Sequence, residues 1–282
     1  MSTQPILMLA YPGIQILDVT GPLQMFAAVN DELGGPAYDI EIAAAEKGPL
    51  ASSSGIRIYA DTSFEALDAT RLGGVDTLIA PGGSKRGLRT ALSEETITCI
   101  LREAKGRARR IASVCSGAFF LAAAGLLDGR RATTHWAAAA ALQRFCPKVE
   151  VHSDAIHIQD GDIWTSAGVT AGIDLALSMI EADHGRALAL AIARRHVVYR
   201  IRPGGQSQFS AELVGQSASD MRVARLAESV LASPDACWTV DMLASEAGVS
   251  PRSLSRLFRR ELQASPAVFV ERARVDAARR AL

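Results

Sequence analysis

Residues 111–125, IASVCSGAFFLAAAG, join a short run of small and β-branched residues to an apolar helical run, with Cys115 at the junction. Ile111 to Val114 read as a buried strand, and Ser116-Gly117-Ala118 open the helix that ends near Gly125. A residue on such a strand-to-helix turn stands at the carboxyl edge of a sheet, where helix-terminal amides stabilise a thiolate or an anion. The geometry is that of a nucleophile elbow; the alternative is a buried structural cysteine.

Outward from this turn the chain alternates. Ile6 to Ala10, Tyr38 to Ala45, Val75 to Ala80 and Arg110 to Val114 are short apolar runs, separated by helical patterns such as Pro22 to Leu33 and Glu94 to Lys105. That alternation predicts an α/β fold, a mostly parallel sheet covered by helices on both faces. Ala155 to Ile158 and Ile163 to Ser166, around Asp160-Gly161-Asp162, read as a hairpin, followed by helices over Val169 to Glu181 and Arg186 to Tyr199. Pro81-Gly82-Gly83 follows a strand directly and offers free backbone amides at the edge where Cys115 stands, and His135 follows the extended segment Arg131 to Thr134.

Four motifs carry a resemblance over about Pro5 to Asp183: APGG at Ala80 to Gly83, SVCSGAFFLAAAGLL at Ser113 to Leu127, TTHW at Thr133 to Trp136, and TSAGVTAGIDLAL at Thr165 to Leu177. This part resembles the PfpI and class I glutamine amidotransferase-like superfamily, which implies a flavodoxin-like parallel sheet sandwiched by helices. The resemblance implies that the elbow cysteine, the following histidine and an acidic residue after the first strand share a small pocket. Carried over, these are Cys115, His135 and Asp18, the last in LDVTGPLQMF, where the family often has glutamate. Asp18 is alternatively the N-cap of the Gly21-Pro22 helix. Gly82, Gly83, Ser116 and Trp136 complete the expected ligand site, although a tryptophan opening an Ala-rich helix is also an ordinary core residue.

A second pattern ends the chain. Thr239 to Leu262 reads TVDMLASEAGVSPRSLSRLFRREL, with a capping Thr239, small Ala244, turn-forming Gly248, the restart Ser250-Pro251 and inward Leu254, Leu257 and Phe258. This is a helix-turn-helix whose second helix leaves Arg252, Ser253, Ser255, Arg256, Arg259 and Arg260 toward solvent or a major groove. The competing reading is an ordinary helical hairpin with a solvated basic face. From Met221 to Leu282 the chain resembles the AraC family of regulators, and AVFVERARVDAARRAL looks like that family's linking helix; no second helix-turn-helix unit follows, so either the sequence is truncated, which is the expectation, or the protein reads one half-site per chain.

Composition fits two parts. With 282 residues, 49% hydrophobic and 21% charged, the chain has material for one full core and a small module. From Arg222 onward there are ten Arg and seven acidic residues, net +3, whereas Met1 to Met221 holds twenty Lys plus Arg against twenty-three acids, net −3. The basic excess sits where phosphate contacts need it. No signal peptide or apolar run approaching about 18 residues is visible, which predicts a cytoplasmic protein without a membrane partner. Cys99, Cys115, Cys146 and Cys237 lack metal-ligand spacing and read as reduced thiols, and no metal or cofactor is expected.

The expected organisation is residues 1–199 as a ligand-sensing domain, 200–220 as a linker carrying Pro203-Gly204-Gly205, and 221–282 as an all-α DNA-binding domain. An amidotransferase-like domain before an AraC-type reader is the layout of the GlxA type of regulator. It implies a ligand-responsive transcription regulator, not an enzyme, binding a promoter operator and a small metabolite, with nitrogenous compounds as candidates. It also implies a homodimer formed through the front domain, with RNA polymerase as a further candidate partner. The rival is a cysteine-dependent enzyme, such as a hydrolase, a glyoxalase-like enzyme or a relative of isonitrile hydratase; a third reading is a redox sensor acting through Cys115. Exposure on the elbow predicts Cys115 to be the most readily alkylated thiol.

Overall fold

The computed structural model describes residues 3–198, 220–262 and 264–281, and the chain divides into two units, Met1–Arg200 and Ile201–Leu282. Among the described residues of the first unit a seven-stranded sheet contains β1 (Gln4–Leu9), β2 (Tyr38–Ala44), β5 (Thr62–Ser63), β6 (Thr77–Ala80), β7 (Arg110–Val114), β10 (His157–Asp160) and β11 (Ile163–Ser166) in the spatial order β10-β11-β7-β6-β1-β2-β5. Every neighbouring pair is parallel except the β10–β11 hairpin, which turns through Gly161 at φ 62. The central strands β6 and β7 are buried along their whole length, as a sheet covered on both faces requires. β3 (Gly48–Ala51) and β4 (Arg57–Ala60) form a separate hairpin, and β8 (Arg131–Ala132) pairs with β9 (Glu150–Val151).

Two groups of helices flank the sheet. α1 (Ile16–Leu33), α7 (Ala171–His184) and α8 (Arg186–Arg195) pack on one another, while α2 (Ala69–Gly74), α3 (Lys85–Ser93), α4 (Thr96–Ala104), α5 (Ala118–Ala123) and α6 (Trp136–Phe145) form a second chain of contacts. α1 starts well before the expected Pro22. Proline lacks only the amide that would serve the carbonyl of Asp18, and Gln15, whose own amide donates to the Gly82 carbonyl (2.9 Å), takes the capping position. Asp18 therefore lies inside the first turn of α1 and is not its N-cap. α8 ends at Arg195, shorter than expected, and Tyr199 lies outside the described residues.

One polar cluster is buried at the far end of β7. Asp183, near the end of α7, accepts Arg110, Arg109 (2.8 Å) and the Tyr38 hydroxyl (2.7 Å), and both arginines also reach Asp76. The cluster holds the Asp183 carboxyl below the usual carboxylate range despite its burial. Gly185, at φ 84 and ψ 164, then separates α7 from α8.

The second unit contains α9 (Met221–Ala232), α10 (Val240–Glu246), α11 (Pro251–Leu262) and α12 (Pro266–Ala281). Val223, Leu226, Leu243, Leu254, Phe258 and Phe269 are buried together, with Ala244 where α10 and α11 approach. The Thr239 hydroxyl accepts the Met242 amide (3.1 Å), the Ser250 hydroxyl accepts the Ser253 amide (3.2 Å), and Gly248 is left-handed at φ 63. The expected linker, 200–220, lies outside the described residues apart from Asp220, which caps α9.

Candidate functional site

Because β1, β6, β7 and β11 run parallel and adjacent, their carboxyl ends meet at one edge of the sheet. β7 ends at Val114; Cys115 follows, held left-handed at φ 57, and Cys115–Gly117 forms a 3-10 turn into α5. A non-glycine residue in this conformation is strained and is retained where the surroundings fix it. Here the Thr134 hydroxyl donates to the Cys115 carbonyl (2.8 Å), and Gly168, after β11, lies so close that a Cβ on it would stand 2.1 Å from that of Cys115.

Asp18 is the electrostatic centre of the edge. It is fully buried; one carboxylate oxygen accepts the Gly82 amide (3.1 Å) and the other the Val169 amide (2.7 Å), so a single side chain on α1 joins the ends of β6 and β11. Burial pushes its carboxyl up to about 6, against the amides that lower it. Cys115 is its neighbour and hydrogen-bonds it; burial and then the Asp18 charge push the thiol up to about 12, which the Ser116 amide and hydroxyl only partly offset. The sulfur thus keeps its proton at neutral pH. Cys99 and Cys237 are exposed while Cys115 is half-buried beside a carboxylate, an arrangement that argues against the expectation that Cys115 is alkylated first.

The glycine amides are also committed. The Gly82 amide is bonded to Asp18 and that of Gly83 to the Ser116 hydroxyl (3.2 Å), so the free donors expected after β6 are already satisfied within the protein. There is no room for side chains there: a Cβ on Gly82 would stand 2.7 Å from both Asp18 Oδ2 and Ser116 Oγ. The Tyr11 phenol donates to the Pro81 carbonyl (3.3 Å), and burial pushes its ionisation far above the ordinary range.

Asp18, Gly82, Gly83, Cys115 and Ser116 thus come together. His135 adjoins them through Thr134, but its ring serves the neighbouring helix. Nδ1 accepts the Ala137 amide (3.3 Å) as the N-cap of α6, and burial lowers the ring's basicity, leaving it neutral. Trp136 is 64% exposed and is not a core residue. Gly168, Val169, Thr134 and Tyr11 belong to the site and were not singled out from sequence; TSAGVTAG held Gly168 and Val169, but nothing local says what they face. Among the described residues no cluster of three or more His, Cys, Asp or Glu could hold a metal.

In the second unit the outward side of α11 gathers Arg252, Ser253, Ser255, Arg256 and Arg259 around one concavity. Arg252, Arg256 and Arg259 form no ion pair among the described residues, whereas Arg260 is held by Glu261 (2.8 Å) and Asp220 (3.8 Å). Ser253 is partly occupied as well, since its hydroxyl accepts that of Ser250 (3.0 Å). Among the described residues no helix is long and apolar enough to cross a membrane.

Comparison with known proteins agrees with both units. Residues 4–182 match the DJ-1/PfpI family and residues 243–282 a helix-turn-helix domain. The HTH-type transcriptional regulator CdhR of Pseudomonas aeruginosa is 30% identical over 280 residues, spanning 99% of this chain and 80% of the relative. Isonitrile hydratase of Pseudomonas putida is 33% identical over 173 residues, which cover 61% of this chain and 69% of that enzyme. A crystal structure of a ThiJ/PfpI family protein from Pseudomonas syringae superposes with a TM-score of 0.64 at 27% identity, covering 98% of this chain and 91% of that one. The hydratase alignment covers part of this chain, while the regulator's alignment covers nearly all of it. The chain therefore belongs to the DJ-1/PfpI family, and the AraC-type helix-turn-helix domain fused to it makes it a transcription regulator of the GlxA type.

Proposed function

We propose that the first unit senses a small metabolite beside Cys115 and does not turn it over, and that the second reads an operator through α11. The observation that carries the first part is the commitment of the catalytic-type groups: the thiol donates to Asp18, the Gly82 and Gly83 amides are taken, and the His135 ring caps α6. A nucleophilic enzyme needs a base free to take the nucleophile's proton and unoccupied oxyanion donors, whereas here the Asp18 carboxylate is held by two backbone amides and the glycine amides are taken. A binding site needs neither. Asp18, Gly82, Gly83, Cys115, Ser116, His135 and Trp136 are assigned to the effector site or its rim.

For the reader, Arg252, Arg256 and Arg259 supply unpaired guanidinium groups suited to guanine edges and phosphates, with Ser253, Ser255 and Arg260 as flanking contacts. We assign the protein to the cytoplasm as a homodimer formed through its first unit, since paired half-sites are read by symmetric dimers, with residues 1–199, 200–220 and 221–282 as sensor, linker and reader. RNA polymerase is the further partner such a regulator would contact. The test is a thermal-shift screen of metabolites with wild type and Cys115→Ala, followed by operator binding with each hit. Cys115→Ala is expected to keep its fold and basal DNA affinity and to lose or alter the ligand response. Substrate turnover at roughly 1 to 1000 per second, abolished in Cys115→Ala, would refute the sensor.

A further inference from the structure

Beside the elbow lies a cleft of about 890 Å³ bounded by α3, α4, α5 and α6, with Gly83 and Ser116 at one end. Its size is that of a site for a small organic ligand. The walls are apolar: Leu88 and Leu92 on α3 face Phe119 and Phe145, whose rings meet edge to face at 5.5 Å. Phe145 is 52% exposed, so this wall presents aromatic surface that the fold itself leaves uncovered.

The polar groups of the cleft are of one predominant sign. Lys85 and Arg89 stand on the same side of α3 as Leu88 and Leu92, at helical spacing, and among the described residues neither forms an ion pair. Arg102 joins them but is tied to the Ala123 carbonyl (2.9 Å), and Glu95 is the acidic residue that lines the cleft among the described residues. Cations therefore outnumber anions. Thr98, also in the lining, is 2% exposed, and its hydroxyl has no hydrogen-bond partner among the described residues, an uncommon state for a buried hydroxyl.

We propose that this cleft binds an amphiphilic carboxylate, with an alkyl or aryl body against Leu88, Leu92, Phe119 and Phe145 and its carboxylate on Arg89 and Lys85. A carboxylate on the exposed Arg89 and Lys85 gains charge-assisted hydrogen bonds that solvent partly screens, and among the described lining residues Glu95 is one carboxylate against the three cations Lys85, Arg89 and Arg102, a balance that favours an anion over an amine. The inference rests on reading the first unit as a sensor and moves its effector from the nitrogenous metabolite expected from sequence to an anion with an apolar body.

The test uses the full chain, calorimetry, and three probes of equal chain length: octanoate, octyltrimethylammonium and octanol, each below its micellar range. Octanoate is expected to bind about threefold or more tighter than the other two. Arg89→Glu, on an exposed helix side, is expected to weaken octanoate by about tenfold or more and leave octanol within about twofold. Ala141→Trp, which fills the cleft, is expected to abolish binding of both, with near-ultraviolet circular dichroism checking each fold. The proposal is overturned by octanoate failing to bind at about 1 mM, by octanol binding as tightly as octanoate, by Arg89→Glu leaving octanoate unaffected, or by Ala141→Trp binding octanoate like wild type. Operator affinity measured with saturating octanoate separates the two claims: cleft binding with no change in DNA affinity keeps the carboxylate site and refutes the sensor.

Discussion

Replacing Gly168 by Ala tests how the elbow is held. Gly168 has φ 90, and an added Cβ would lie 2.1 Å from Cys115 Cβ, 2.5 Å from its Cα and 2.8 Å from its Sγ. The conformation costs an L-residue about 1 to 3 kcal/mol, and forcing a methyl group into a packed site costs about 1 to 3 kcal/mol more. The sum is roughly 2 to 6 kcal/mol of the first unit's stability. Gly125→Ala is the internal control, because Gly125 is also left-handed at φ 71 but an added Cβ meets nothing within 4 Å. Urea unfolding followed by the buried Trp164, in a Trp136→Phe and Trp238→Phe background, isolates this unit. With a slope of about 2 kcal/mol/M the midpoint is expected to fall by about 1 to 3 M for Gly168→Ala, and by about half of that for Gly125→Ala, which carries the conformational cost without the contact. Equal losses in the two variants would show that contact with Cys115 contributes nothing and would refute this account of the site.

Three further outcomes are expected. Asp18 has its carboxyl raised from 3.8 to about 6 on folding, so the native state binds the extra proton; stability is greatest below pH 4 from this group and falls as pH rises to 6, by about 3 kcal/mol. Asp18→Asn should remove that slope, and identical pH profiles for the two proteins in urea titrations would contradict it. Native iodoacetamide labelling read by mass spectrometry should modify exposed Cys99 and Cys237 before Cys115, with Asp18→Asn speeding Cys115 by removing the adjacent charge; Cys115 reacting first in wild type would overturn the protonated thiol. Arg256→Ala should cost about 1 to 3 kcal/mol of specific operator binding, whereas Arg260→Ala, already paired with Glu261 and Asp220, should cost less; filter binding that ranks the two in the opposite order would reassign the reading face.

What could be read from sequence was what is encoded locally. The strands at Tyr38, Arg110 and Ile163 announce themselves as apolar runs, and the hairpin at Gly161 and the turn at Gly248 are set by their own residues. The β3–β4 hairpin and β5 went unseen because strands of four residues or fewer, between Gly48 and Ser63, show no sustained alternation. α1 began earlier than Gly21-Pro22 suggests because its buried face includes Asp18 and Val19. Cys115 and Ser116 were legible as turn chemistry. The bond from Val169 to Asp18 crosses 151 positions and has no local trace, and the amides of Gly82 and Gly83 looked free only because their acceptors come from α1 and from the turn after β7.

The clamp on Asp183 has a consequence for the end of the first unit. Arg109 and Arg110 fasten the last turn of α7 to the start of β7, and the Val169 amide fastens the segment before α7 to Asp18. Anchored fore and aft, this helix is a strut of the sheet and has little freedom to slide along it. The chain then bends into α8 at Gly185, whose backbone angles only glycine adopts without strain. The heading of the chain into α8 is thus a property of one residue with no side chain, and a residue with a Cβ at that bend would have to hold a strained backbone or tilt α8 on its seat against α1 and α7, while leaving the Cys115 edge untouched.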